Sequence, residues 1–281
     1  MRLMRSVASL AAWVVAVLAV VVALPAGWTA THVTSEDGFV SLVGPLVQDE
    51  QVRDAVIDEV TAALVDDAAL PVSVPASLEE VVRSAVRAAA ERVAGDPGWQ
   101  QAWDESIART HRSLFQQTDG PGYFSIDAAP VADYVLDKIT GSLPVQINAP
   151  STVPVVLETV EDDTALEVAR QAPTAAVVGG LVALLAALAS VALARRRGVA
   201  VAGLGVGLLL SAAVLWPALG SVADAALDEP ATGGEVARTV RDRLVQLTQD
   251  SAQGWLTTTA VAGVVLLVLG AVVAAVAGRR R

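Results

Sequence analysis

The sequence predicts a mainly α protein, with four transmembrane helices and a largely helical extracytoplasmic domain that includes a candidate small β-element. Three observations carry that expectation. Four apolar runs contain no Asp or Glu, and each has about the 20 residues that cross the hydrocarbon core of a bilayer as a helix. All 30 acidic residues fall in two stretches between those runs, 24 in residues 29–172 and 6 in residues 221–254. The remaining flanks carry only arginine: Arg2, Arg5, Arg195, Arg196, Arg197, Arg279, Arg280 and Arg281. Lys and Arg collect on cytoplasmic flanks. Both termini and the 195–197 turn are therefore expected in the cytoplasm, and both acidic stretches outside it, at a plasma membrane.

Residues 1–28 read as an N-terminal anchor, apolar from about residue 7. A cleaved signal peptide is the alternative, but its apolar core is usually ~7–15 residues and ends at a small-x-small site. Leu24-Pro25-Ala26 fits that site poorly because leucine is bulky, so an uncleaved span is favoured. Trp28 stands at its predicted outer end, as Trp216 and Trp255 do in the third and fourth spans. Indole rings favour headgroup level. Trp13, inside the first span, reads as a packing residue.

Residues 29–172 form the outer domain, long enough to bury a core of its own. Its 24 acids against 8 bases leave a net charge of −16. That balance argues against nucleic-acid binding, which rests on basic groups neutralising phosphates. Val52, Val56, Val60 and Leu64 recur at helical spacing. A Pro-rich loop over residues 70–76 follows, and then Ser77 and Glu80 in capping-box spacing open a second helix with Val82, Val86 and Val93. Asp96-Pro97 opens a third, with Asp as the cap and Pro at the first helical position. Its buried stripe is Trp99, Trp103, Ile107 and Leu114. Beyond a turn at residues 118–122 come two β-compatible runs, residues 123–126 and 153–157, which can pair, with Pro154 confining its strand to an edge. Between them residues 130–140 read as a short helix bearing Val131, Val135 and Ile139. Asp162 or Asp163 is expected to cap the helix that enters the second span.

Residues 173–220 read as a transmembrane hairpin, with spans at about 173–194 and 199–219. Gly203 and Gly207 are four apart and share a face on which another helix can approach closely. Gly179 and Gly180, or Gly263 and Gly270 in the fourth span, are candidate partner surfaces, and a contact of Gly203 and Gly207 with the fourth span is expected. No nucleotide loop is implied by these glycines, since no strand precedes them. Residues 221–254 form a second outer loop in which Val236, Val240, Leu244 and Leu247 line one face of an amphipathic helix. A lone helix of that length is marginal in water, so it is expected to pack on the outer domain or a partner. Binding flat to the membrane is less favoured, with only Arg238, Arg241 and Arg243 basic. Residues 255–281 are the fourth span and an arginine tail.

Candidate chemistry is sparse. The absence of cysteine excludes disulfides and the usual structural zinc sites, and the two histidines, His32 and His111, stand in no metal-ligand spacing. No Gly-x-Ser-x-Gly elbow marks a nucleophile. Glu36-Asp37, Asp66-Asp67 and Glu161-Asp162-Asp163 can attract Ca²⁺, but none has the alternating ligand pattern of a dedicated calcium loop. Trp99 and Trp103 can stack on a sugar or peptide, although core packing is the commoner role of such a pair. No span carries a charged residue or His, which argues against an ion pathway.

Over residues 28–64 the motifs Ser35-Glu-Asp-Gly-Phe-Val40, Pro45-Leu46 and Asp49-Glu-Gln-Val-Arg-Asp-Ala-Val56 stand out. On these the chain resembles uncharacterised integral membrane proteins of actinobacteria. That resemblance implies one N-terminal span, a helical outer domain and C-terminal spans, and no catalytic residues. The expected role is a non-enzymatic envelope protein whose outer domain binds a protein partner, as a scaffold or accessory subunit, with no cofactor. A ligand-binding receptor, or a subunit of a transporter or envelope enzyme, is the alternative.

Overall fold

A computed structural model describes residues 2–66, 76–116, 124–140, 151–158, 164–228 and 234–279. The chain is mainly α, as the sequence predicts. It divides into two compact units, an apolar one (Met1–Thr34, Ala165–Asp228, Thr248–Arg281) and a polar one (Ser35–Thr164, Glu229–Leu247).

Among the described residues four helices are long and apolar enough to cross a membrane, carried on α1 (Arg2–His32), α7 (Thr164–Leu193), α8 (Arg197–Asp228) and α9 (Gly234–Arg279), the last reaching the apolar unit from Thr248 onward. This is a membrane protein. Prolines 25, 173 and 217 lie inside α1, α7 and α8. The contacts between these helices alternate their directions. Near the start of α1, Ser9 donates to the Ser190 carbonyl near the end of α7 (2.9 Å), and Trp13 donates to the Gly203 carbonyl near the start of α8 (2.7 Å). At the other end of α1, Trp28 donates to Ser251 of α9 (3.1 Å). The 195–197 turn and Ser6 therefore share one end of this unit, and Trp28 and Trp255 share the other.

Helix boundaries differ from those that hydropathy suggests. Residues 221–228 continue α8, and the amphipathic segment and the fourth span form one uninterrupted α9 of 46 residues. Hydropathy marks where a helix meets lipid. It does not mark where the backbone hydrogen-bond ladder ends, and nothing in residues 250–255 breaks that ladder.

The polar unit is built on α2 (Glu36–Val43), a 3-10 turn (Gly44–Gln48), α3 (Glu50–Asp66), α4 (Ala76–Val93), α5 (Pro97–Gln116) and α6 (Ala129–Thr140). Strands β1 (Phe124–Asp127) and β2 (Pro154–Glu158) pair antiparallel, with Ile126 opposite Val155 and Asp127 opposite Pro154. Local chemistry sets several boundaries. Ser35 accepts from the Gly38 amide to cap α2, and Asp49 accepts from Gln51 to cap α3. Pro97 begins α5, whose Trp99 amide donates to the Asp96 carbonyl. The expected caps Asp162 and Asp163, the 118–122 turn and most of the 70–76 loop lie outside the described residues, as does the Ser77 side chain.

The core joins Val52, Val56 and Val60 of α3, Ala90 of α4, Trp99, Trp103 and Ile107 of α5, Val131 and Val135 of α6, and Val153. Val240 of α9 is buried in the same core, with Leu244 and Leu247 packed against it. Arg243 adds an ion pair to Asp49 (3.5 Å). The amphipathic segment thus packs on the unit that the first acidic stretch builds, which supplies the apolar surface a lone helix lacks.

Candidate functional site

Asp127 organises one side of the polar unit. Its Oδ1 accepts from the amides of Ala129 (3.1 Å) and Val153 (2.9 Å), which ties β1 to the start of α6 and to the segment entering β2. Its own amide donates to the buried Thr110 hydroxyl (2.9 Å), and Arg109 lies 3.6 Å from Oδ2. Four elements are fixed by one carboxylate. Sequence reading missed this residue, because its partners are distant in the chain and Asp127 looks like any turn acid.

Above that junction, α2, α5 and α6 enclose an open groove of about 820 Å³. Six carboxylates line it, from Glu36, Asp37, Asp104, Glu105, Asp133 and Asp137, against the single cation of Arg109. Glu36 and Glu105 are partly neutralised by Arg112, at 3.5 and 2.8 Å. Asp104 accepts from Gln100 (2.8 Å), which also donates to the Gly44 carbonyl. Asp37, Asp133 and Asp137 are exposed and have no ion pair among the described residues. Tyr134 forms part of the wall and donates to Asp96 at 3.4 Å. Its ring lies over Gly98, where a Cβ would approach within 2.6 Å, so a larger residue there would displace the ring. The groove is therefore acidic, shallow and shaped by an aromatic ring. Of the acidic pairs noted in the sequence, Glu36-Asp37 lies in it. Residues 67 and 161–163 lie outside the described residues. Among the described residues no three His, Asp or Glu side chains converge as a metal site.

The other candidates resolve individually. Trp99 and Trp103 are 2% and 1% exposed, so they are core residues and unavailable for stacking on a ligand. His111 is buried between Phe39 and Phe115, with ring centroids at 5.3 and 4.6 Å. His32 stacks on Trp28 and meets the edge of Trp255 (6.0 Å), which brings two of the three expected interfacial tryptophans together. Trp216 stays apart and exposed on α8.

The glycine pairing needs a correction. Gly203 and Gly207 face α1, with Trp13 3.7 Å from a Cβ on Gly203 and Val17 2.6 Å from one on Gly207. The contact with α9 is made instead by Gly205, where a Cβ would lie 2.5 Å from the Gly263 carbonyl and the Leu267 amide, and by Gly198 against Ala274. Gly263 and Gly270 are in this interface, Gly270 against Ala202 and Gly198. A helix turns about 100° per residue, so Gly205 points away from Gly203 and Gly207. Spacing revealed one small face of α8, and the fold uses two.

No family model, no curated protein and no solved structure matches this chain. The fold defines it as a mainly α membrane protein with four candidate spans among the described residues and a polar unit that bears an acidic groove.

Proposed function

We propose that this is a non-enzymatic membrane protein of the cell envelope, of the kind the actinobacterial resemblance implies, whose polar unit binds a basic protein partner. One observation carries the reading: the groove between α2, α5 and α6 presents six carboxylates against one arginine, three of them exposed and without an ion pair. Such a surface steers a positively charged partner and discriminates against acidic ones. In the same reading the polar unit lies outside the cell and both termini inside. That orientation is supported by the arginine-only flanks of the sequence, and the 195–197 turn lies at the Ser6 end of the apolar unit, opposite Trp28 and Trp255.

Co-purification of the full chain from native membranes tests the partner. A stoichiometric protein should be retained at low salt, released as ionic strength rises, and lost in the Asp133→Lys/Asp137→Lys variant. Retention unaffected by that variant would remove the groove from the proposal. Because the native chain has no cysteine, orientation is open to thiol labelling on intact cells. Ser84→Cys should react with an impermeant reagent, and Ser6→Cys only after lysis. The reverse pattern would invert the topology.

A further inference from the structure

The turn joining α7 to α8 bears three successive arginines, Arg195, Arg196 and Arg197, all exposed and none in an ion pair among the described residues. Two cavities flank it. One, of about 560 Å³, runs toward α1 and is lined by Ser6, Ser9, Arg195, Arg196 and the apolar Val199 and Ala200. The other, of about 630 Å³, runs toward α9 and has Val273, Ala274 and Ala277 as its far wall. Arg195, Arg196 and Val199 line both. No Asp or Glu side chain lines either cavity, and none occurs between residues 168 and 223, before residue 36 or after residue 250. Among the described residues the guanidinium groups therefore meet no acidic side chain in either cavity.

We propose that this turn binds the phosphate headgroup of an anionic phospholipid. Arginine presents a planar fork of donors suited to phosphate oxygens. The first turn of α8, whose Val199 and Ala200 amides already donate to the Arg196 carbonyl, adds the positive end of its dipole. Ser6 and Ser9 line the α1 cavity, the Ser9 hydroxyl donating to the Ser190 carbonyl, and valine and alanine complete its wall. A site that is cationic at its mouth and apolar in its walls, at the end of a bilayer-length helix pair, matches a lipid better than a free anion. Nothing in this inference depends on which side of the membrane the turn faces, so it stands apart from the partner reading of the groove.

The test is native mass spectrometry of the full chain in detergent, titrated separately with phosphatidylglycerol, phosphatidylcholine and inorganic phosphate. Phosphatidylglycerol should bind in preference to phosphatidylcholine. Arg195→Gln/Arg196→Gln should weaken it roughly thirtyfold, the factor two arginines at an anionic surface account for. Arg53→Gln/Arg92→Gln, which makes the same charge change in the polar unit, should leave it unaltered. Equal retention of the two lipids overturns the proposal, as does an unaltered preference in the 195/196 variant. Displacement of phosphatidylglycerol by millimolar phosphate overturns it in favour of a free-anion site. If the glutamine pair does not accumulate, the lipid preference of the wild-type chain decides the matter by itself.

Discussion

The two units use similar valine- and alanine-rich sequences and hold together in opposite ways. In the polar unit the large side chains are inside: Trp103 is 1% exposed and Val60 and Val135 are fully buried. In the apolar unit many are outside, with Leu185 64% exposed, and the contacts between helices centre on glycine, alanine and serine, met on α1 by Trp13 and Val17. The difference lies in the surrounding medium. Water drives apolar side chains into a core. A bilayer is as apolar as leucine, so its helices gain little by burying leucine and instead associate through close backbone approach.

That contrast predicts which substitutions damage which unit. Trp103→Ala should have the largest effect, costing about 3–5 kcal/mol for loss of a buried aromatic and the cavity left behind. Differential scanning calorimetry of the full chain in detergent should show the polar unit's transition lowered and the other retained. Equal loss of both would mean that the units unfold as one.

Gly205→Ala should do the reverse. The new methyl would meet the α9 backbone at 2.5 Å, and overpacking of this kind costs about 1–3 kcal/mol. Gly203→Ala is its control, because the nearest atom lies at an ordinary 3.7 Å. Limited proteolysis in detergent should separate the two variants. Equal sensitivity would show that the small face toward α9 is not what holds the unit.

Val240→Ala sharpens the boundary between the units, because that residue comes late in the chain yet lies in the polar core. A cost of about 1–2 kcal/mol is expected on the polar transition alone. A shift confined to the apolar unit's transition would assign the segment elsewhere.

The smallest effect belongs to Glu59. Burial raises its pKa above the ordinary glutamate range, although the residue remains exposed overall, so the penalty is modest. A raised folded pKa disfavours the ionised form. The cost is therefore present above the unfolded pKa and fades as pH falls through the carboxylate range. Glu59→Gln should raise the polar unit's melting temperature slightly at pH 7 and not at all near pH 4. The opposite pH trend would contradict the burial.

Much of this was legible in the residues themselves. The valine stripe of α3, the Asp96-Pro97 start of α5 and the pairing of two short strands rest on local rules of periodicity, capping and β-propensity, so they survive without knowledge of neighbours. The groove was legible only as Glu36-Asp37. Its other acids lie on α5 and α6, far along the chain, and α-helical packing alone brings them to one surface.

By itself the sequence determined four apolar lengths, a segregation of charge and a set of helices, because hydropathy and helix periodicity depend on residues close in the chain. Tertiary structure alone decided that Gly205 rather than Gly203 meets α9, that Asp127 joins four elements, and that Val240 completes a core begun two hundred residues earlier. Each of these depends on which faces meet, and a face acquires its partner only when distant segments compete for the same space.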